Sequence, residues 1–304
     1  MRTLLTSACL ALLALPGAAL AQSTPVAGLE LGINEAAARP LVDAACGAVE
    51  RVEVADTRLP AALTREVYLR CTLLELADGA QVDAAVFTFA DDGLILLEAR
   101  GHIAALTPDG DPMISIEGFD VYERGMIVTR PGEDQAWLLT PAALQTFMMF
   151  WDNPVWTVAQ PIAPDAAYFL PPEIRFGAGF DERMSALESV CPVLRSQDIE
   201  EIWLDTEPVI QRQIDCMGYE IAGYPRRLEF VFGDGELEQM WILFGAGDIP
   251  RLREFLTATY GPAIHVDDVY EVFDDWRIAL RKDNPEILMG SDRLAAIWAR
   301  DGLD

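Results

Sequence analysis

Apolar and polar side chains alternate from Val67 to Leu73, where Leu69 and Cys71 are apolar and Arg70 and Thr72 are polar. A period of two is typical of a β-strand with one buried face. We therefore predict a strand here and expect Cys71 to point into the core.

The segment before this strand has the spacing of a helix. Apolar residues recur at Leu41 and over residues 44–46, and Asn34 is a suitable helix cap. Pro40 leaves two alternatives, because a proline is tolerated in a first turn and kinks a helix interior. Either the regular helix begins near Pro40 or it is kinked there.

Strand residues on both sides of a glycine turn predict a hairpin from Val82–Phe89 to Leu94–Ala99. Asp91 and Asp92 in the turn lack the alternating oxygen ligands and the closing glutamate of a calcium loop, so we interpret them as turn residues. Further strands are predicted around 114–122, 126–130 and 136–139, and Pro141 begins a short helical or turn segment.

The same pattern occurs twice. Cys46 and Cys71 have the same spacing as Cys191 and Cys216, and the phrase that begins at each second cysteine recurs, Glu-Leu-Ala at 75–77 and Glu-Ile-Ala at 220–222. Four cysteines allow three connectivities. A duplication predicts that each copy closes on itself, so we pair Cys46 with Cys71 and Cys191 with Cys216, and expect each disulfide to fasten a helix to its sheet.

The second copy repeats the helix, with Asp181 as the expected cap, and the hairpin over residues 230–237. One helix is not shared. It runs from about Ile249 to Tyr260, with Pro250 in its first turn, while the first copy has the shorter segment 107–110. The predicted fold class is therefore α+β, with two tandem copies of a helix packed on an antiparallel β-sheet and one disulfide per copy.

A cluster of prolines predicts where the chain divides into two units. Pro154, Pro161, Pro164, Pro171 and Pro172 interrupt regular structure and predict a stiff connection. The predicted organisation is a signal peptide at 1–21, a first α+β unit at 22–151, a Pro-rich linker at 152–173 and a second α+β unit at 174–304.

The amino terminus predicts export. Arg2, the apolar run 10–15 and the small-residue triplet 19–21 are typical of a cleaved secretory signal. The alternative, a membrane anchor, is disfavoured because the run is shorter than the roughly 20 residues that span a bilayer. A lipid anchor at Cys9 is not expected, since most of the apolar run follows it. We expect a periplasmic or secreted protein without a membrane span after signal cleavage.

The net charge of the chain excludes some classes of partner from those we expect. The chain has 22 basic and 49 acidic residues, a formal net charge of −27, and Lys282 is its single lysine. Nucleic acids and anionic membranes are bound by clustered Lys and Arg, so neither is an expected partner.

Catalytic motifs are missing from the sequence. The cysteines are assigned to disulfides, and the two histidines, His102 and His265, lie at positions that do not correspond between the copies and in no known catalytic motif. We therefore predict no catalytic residue, no metal ligand and no cofactor, and an enzyme is less expected than a binding protein.

Aromatic residues cluster near the end of the first unit. Phe150, Trp151 and Trp156 are candidate binding residues, because aromatic and methionine side chains are favoured at interfaces and Met148 and Met149 lie among them. The alternative interpretation is packing in the core or between the units.

In plan, a helix on an antiparallel sheet, repeated with one disulfide per copy, resembles the beta-lactamase inhibitory protein and small outer-membrane lipoproteins of the SmpA type. The resemblance implies protein binding through a sheet face. We predict a non-enzymatic periplasmic module for protein binding or envelope assembly, with an envelope protein as partner. The second hypothesis is a periplasmic hydrolase or carbohydrate-active enzyme whose carboxylates the sequence does not identify.

Overall fold

The computed structural model describes residues 24–122, 126–159 and 167–303. The predicted signal peptide and two linker prolines, Pro161 and Pro164, lie outside these residues. The described chain is a mixed α and β structure with two eight-stranded antiparallel sheets and one disulfide in each. The fold class is confirmed at this level.

The first sheet has the strand order β1-β2-β3-β4-β8-β7-β6-β5. Its helices are α1 at Glu35–Ala45 and α2 at Pro141–Gln145. Its strands are β1 Cys46–Val54, β2 Glu66–Glu75, β3 Gln81–Ala90, β4 Gly93–Arg100, β5 Ile114–Ile116, β6 Phe119–Tyr122, β7 Ile127–Arg130 and β8 Gln135–Leu139.

The second sheet has the order β13-β14-β15-β16-β12-β11-β10-β9, which is the same order when each sheet is numbered from its own first strand. Its helices are α3 at Phe180–Leu187, α4 at Ile249–Tyr260 and α5 at Asp292–Asp301. Its strands are β9 Val193–Ile199, β10 Gln211–Ile221, β11 Tyr224–Gly233, β12 Glu236–Leu243, β13 His265–Val266, β14 Tyr270–Phe273, β15 Ile278–Arg281 and β16 Glu286–Gly290.

The first helix begins before Pro40. The Asn34 side chain accepts a hydrogen bond from the Ala37 backbone N–H at 2.9 Å, as a cap does, and Pro40 lies inside the helix. The alternative in which the helix begins near Pro40 is therefore wrong. In the second copy the cap is Gly179, and Asp181 lies in the first helical turn instead.

Both disulfides have the predicted pairing. The Cα atoms are 5.6 Å apart for Cys46 and Cys71 and 5.4 Å apart for Cys191 and Cys216, within the range of native disulfides. Their location differs from the expectation, because Cys46 is the first residue of β1 and lies beside β2 rather than on the helix. Strands β1 and β9 were not predicted.

Strand β2 departs from simple alternation. Three consecutive residues, Val67, Tyr68 and Leu69, are all buried. Because consecutive side chains point to opposite faces, this part of the strand is covered on both faces. Leu73 was expected to point inward, but it is 55% exposed at a backbone irregularity with φ of 52°. Leu74 is buried instead.

Each sheet carries apolar layers on both faces, so the plan of one helix on one face is only partly confirmed. The inner face, which holds the disulfide, packs against α1 in the first sheet and against α3 and α4 in the second. The outer face packs against α5 in the second sheet. In the first sheet α2 and two 3₁₀ turns, Met148–Phe150 and Pro154–Trp156, cover it.

The two sheets contact each other closely. The Gly247 N–H donates to the Pro60 carbonyl at 2.8 Å, and a Cβ on Gly247 would lie 2.2 Å from the Ala62 carbonyl oxygen, so a larger residue has no room there. Arg251 donates to the Thr57 carbonyl at 2.7 Å. The division into two units joined by residues 152–173 stays a prediction.

Candidate functional site

The predicted aromatic residues lie between the two sheets. Phe150 is half-buried, with its ring centroid 4.9 Å from that of Phe119, and its ring lies 3.2 Å from the place of a Cβ on Gly218. Trp151 lies between Tyr68 and Tyr224, at centroid distances of 6.3 Å and 5.3 Å. These contacts pack one sheet against the other. A ligand-binding role for Phe150 and Trp151 stays a prediction.

Trp156 has a different neighbour. The Arg100 guanidinium lies 4.3 Å from the Trp156 ring centroid, a cation–π geometry, and donates to the Glu98 carboxylate at 3.1 Å. Trp156 is therefore part of a small polar cluster on the outer face of the first sheet.

A pocket of about 470 Å³ opens beside this cluster. Its aromatic lining includes Phe150 and Trp151, whereas Trp156 is not part of the lining. The lining residues are Glu98, Arg100, Glu117, Phe119, Arg130, Glu133, Gln135, Trp137, Met149, Phe150, Trp151, Asp152, Pro192 and Val193.

Glu98 is the buried acid of this pocket. Burial disfavours its charged form and raises the pKa of its carboxyl to about 7, although the nearby Arg100 acts in the opposite direction. The other carboxylates differ, because Glu133 pairs with Arg130 at 2.8 Å and Glu117 and Asp152 are exposed. A glycosidase needs two carboxylates of separate roles, and the pocket supplies one buried acid already bound to an arginine.

A larger, apolar groove lies at the far edge of the first sheet. Its volume is about 1010 Å³, and strand β5 forms one side of it. The opposite side belongs to the second sheet, and Met149 lines both the groove and the pocket. The lining residues are Met113, Ile114, Ser115, Ile116, Val121, Met126, Val128, Pro141, Leu144, Gln145, Phe147, Met149, Arg195, Met217, Arg227, Leu243 and Asn284.

Two arginines lie in this groove. Arg227 is neutralised by Asp215 at 3.1 Å and Glu229 at 3.0 Å. Arg195 is exposed and donates to the Gln197 side chain at 3.2 Å, but within the described ranges it has no carboxylate within ion-pair distance. The groove therefore has one uncompensated cation in a strongly acidic protein.

The histidines do not form a common site. His102 contacts Asp83 at 2.9 Å, and His265 contacts Asp267 at 3.0 Å and stacks on Trp276. Over residues 24–122, 126–159 and 167–303, no group of three His, Cys, Asp or Glu side chains has the arrangement of a metal site.

The turn aspartates bind protein groups of the turn and its neighbours, as the interpretation as turn residues predicts. The Asp91 carboxylate accepts hydrogen bonds from the backbone N–H groups of Thr64 at 2.7 Å and of Leu63 and Arg65 at 3.2 Å. Asp92 pairs with Arg65 at 3.0 Å. These carboxylates hold the hairpin turn and the preceding loop together.

Neither Glu98 nor the groove was predicted from the sequence. A glutamate within the apolar strand β4, Gly93–Arg100, was the one available signal for Glu98. The groove combines β5 with Arg195, which is distant in sequence, and its shape depends on how the two sheets pack.

Comparison of the chain with protein-family models, curated proteins and solved structures found no match. None of the described helices has the length and hydropathy needed to cross a membrane. Two disulfides are typical of a protein that folds outside a reducing cytoplasm.

Proposed function

We propose that this protein is a non-enzymatic module of the periplasm or the extracellular space that binds an apolar segment of a partner polypeptide in the groove beside β5. The observation that carries the proposal is the groove itself, which is large and lined by methionine, isoleucine, valine and leucine side chains. Contiguous exposed apolar surface of this kind marks interaction sites in soluble proteins.

The repeated sequence and the shared strand order support a tandem duplication. Duplication gives two sheets whose contact creates a groove that neither sheet has alone. The resemblance to inhibitory and envelope-assembly proteins with sheet-face binding points in the same direction, toward a polypeptide partner from the cell envelope.

A substitution at an exposed position of the groove tests the proposal. Ile114 is 50% exposed, so Ile114→Asp introduces a charge into the groove without burying it in the core. Ile264 is 54% exposed and lies just before β13, the terminal strand of the second sheet, so Ile264→Asp is a matched control.

The probes are two fluorescent peptides, one of alternating valine and threonine and one of leucine and alanine, and the measurement is fluorescence anisotropy. We expect at least one peptide to bind, and Ile114→Asp to weaken its binding roughly tenfold while Ile264→Asp leaves it unchanged. The proposal is rejected if neither peptide binds, or if both variants behave like the wild type.

A second candidate function is carbohydrate hydrolysis, favoured by the position of Glu98 among aromatic side chains. A carboxyl group with a pKa near 7 is suited to act as a general acid. Glu98→Gln keeps the shape and removes the acid, so turnover of an oligosaccharide by the wild type that is lost in this variant would establish an enzyme.

A further inference from the structure

We infer that the partner segment binds as an extended strand along the free edge of β5, with a carboxylate of that segment paired to Arg195. This inference rests on the proposed function and specifies the conformation and charge of the ligand. The occupant is a strand-forming polypeptide that carries alternate apolar side chains and one acidic group.

Strand β5 is the last strand of the first sheet, and within the described residues it pairs only with β6. Consecutive side chains of a strand point to opposite faces, yet Ile114, Ser115 and Ile116 all line the groove. The groove therefore extends from the face of the sheet, where Val121 and Val128 line it, to the edge of β5. An edge strand presents backbone N–H and C=O groups that lack a partner strand.

Within the described residues, β5 lacks the protection that is usual at strand edges. Edge strands are commonly shielded by charged side chains, and β1 and β9, the opposite ends of the two sheets, carry Glu50, Arg51 and Asp198. Strand β5 reads Ile-Ser-Ile and follows Met113, which is 63% exposed. An unprotected apolar edge beside a groove fits the addition of a strand from another chain.

The charge of Arg195 complements an acidic group on the ligand. Arg195 lies on β9 and reaches the same groove from the second sheet. Its guanidinium donates a hydrogen bond to the amide oxygen of Gln197 rather than to a carboxylate. A carboxylate on the ligand would form a charge-assisted hydrogen bond with it, and bidentate pairing with arginine also fixes direction along the groove.

Methionine side chains determine how broadly the groove accepts different ligands. Met113, Met126, Met149 and Met217 line the groove. Methionine is flexible and polarizable, so it adapts to apolar side chains of different shapes. We expect affinity to depend on backbone conformation and on the acidic group, and only weakly on which aliphatic residues the ligand carries.

The experiment uses the full chain and the peptide of alternating valine and threonine, extended by one aspartate. The backbone of this peptide is N-methylated at odd or at even positions, which removes N–H donors from one edge of the strand at a time. We expect methylation of one set to weaken binding roughly tenfold, and methylation of the other set to be tolerated.

Arg195→Gln tests the charge. It should weaken binding of the aspartate peptide roughly threefold to fivefold, and leave binding of the matching asparagine peptide unchanged. Arg212→Gln is the control, because Arg212 is also on the second sheet but already pairs with Asp198 at 3.0 Å. A peptide with a free carboxyl terminus in place of aspartate distinguishes a chain end from an acidic side chain as the source of the carboxylate.

The results of these experiments distinguish the proposed function from the inference of strand addition with an ion pair. Binding of the leucine and alanine peptide that is sensitive to Ile114→Asp, together with equal tolerance of both methylation patterns, would keep the proposed function and overturn strand addition. Equal effects of Arg195→Gln on the aspartate and asparagine peptides would overturn the ion pair. Failure of every peptide to bind would overturn both the inference and the function.

Discussion

The outer faces of the two sheets differ at matched positions. In the first sheet Glu98 on β4 lies opposite Trp137 on β8, and in the second Trp241 on β12 lies opposite Leu288 on β16. The strands pair in the same way, so the contrast comes from side chains. At these positions the first sheet has a buried acid beside an open pocket, and the second has an apolar pair in the layer that packs under a helix.

The covering helices explain this contrast. Helix α5 places Leu294 and Trp298 on the second sheet, where Trp298 packs so closely on Gly290 that a Cβ there would lie 2.2 Å from the ring. The corresponding α2 stops at Gln145 and is followed by a 3₁₀ turn. The short helix in the first copy leaves space for a pocket and a groove, whereas Leu294 and Trp298 of α5 fill the corresponding face of the second sheet.

The largest expected effect is loss of the helix contact on the second sheet. Trp298 is 3% exposed, and its indole N–H donates to Asp205 at 2.9 Å. We expect Trp298→Ala to lower the free energy of unfolding by about 3 to 5 kcal/mol, because a large buried side chain leaves a cavity. Urea unfolding measures it.

Met149→Ala is the substitution in the first sheet that corresponds to Trp298→Ala in the second. Met149 borders both the pocket and the groove, so its removal opens less new cavity, and we expect a loss below about 2 kcal/mol. Equal losses in the two variants would mean that the outer faces are equally well packed.

The disulfides come next. Replacing Cys191 and Cys216 by Ala, or Cys46 and Cys71 by Ala, should lower stability by about 2 to 5 kcal/mol in each case, since the two loops are equal in length. Calorimetry measures the loss and the number of transitions.

Backbone contacts between the sheets, such as that of Gly247 with Pro60, lead us to expect one shifted transition for either variant. Two separated transitions would show instead that the prolines of the linker isolate the halves.

A smaller effect concerns Glu98 and pH. Burial raises its pKa from the ordinary value of 4.5 to about 7, so folding favours the protonated form. The stabilisation is complete below the lower value and is lost as the pH rises through the higher one. The wild type should lose up to about 3 kcal/mol between about pH 5 and 8 from this group.

Glu98→Gln should remove that part of the pH dependence. Burial likewise raises the pKa of Glu286 in the second sheet to about 7 and raises that of Glu229, so a remaining slope of the same sign is expected, and Glu286→Gln should reduce it further. Unfolding free energies across this pH interval provide the measurement, and an unchanged slope in Glu98→Gln would contradict the burial of its charge.

The smallest effects concern the caps of α2 and α5. Thr140 accepts a hydrogen bond from the Ala143 N–H at 3.3 Å, and Ser291 accepts one from the Leu294 N–H at 3.3 Å. Thr140→Ala and Ser291→Ala should each cost about 1 kcal/mol. Urea midpoints at constant slope measure the cost. A loss above about 2 kcal/mol for Thr140→Ala would show that short α2 supports more structure than its contacts indicate.

Local signals in the sequence were sufficient for several elements. The cysteine spacing predicted both disulfides, and Pro250 and Gly261 marked the ends of α4 correctly. The helix ends depend on the backbone preferences of neighbouring residues, and the disulfide pairing follows from the repeated spacing of the cysteines.

Elements at the sheet edges were missed for a physical reason. Strand β1 is exposed over most of its length and contains Glu50 and Arg51, so it lacks the apolar alternation that marks a half-buried strand. Helix α5 did have a usable signal, because Ser291 precedes apolar residues at helical spacing.

Local patterns in the sequence could not predict the candidate site. Ile114 and Arg195 face one groove because two sheets pack together, and the burial of Glu98 follows from the segment that covers it. Composition and periodicity carry no information about such long-range packing.

The placement of each disulfide within its own sheet has a consequence during biosynthesis. In a chain that enters an oxidising compartment amino terminus first, Cys46 and Cys71 can meet before Cys191 arrives. Oxidation in order of arrival then yields the native pairs without an isomerase having to exchange partners. A chain with crossed pairs would have to keep its first thiols reduced until the later cysteines arrived.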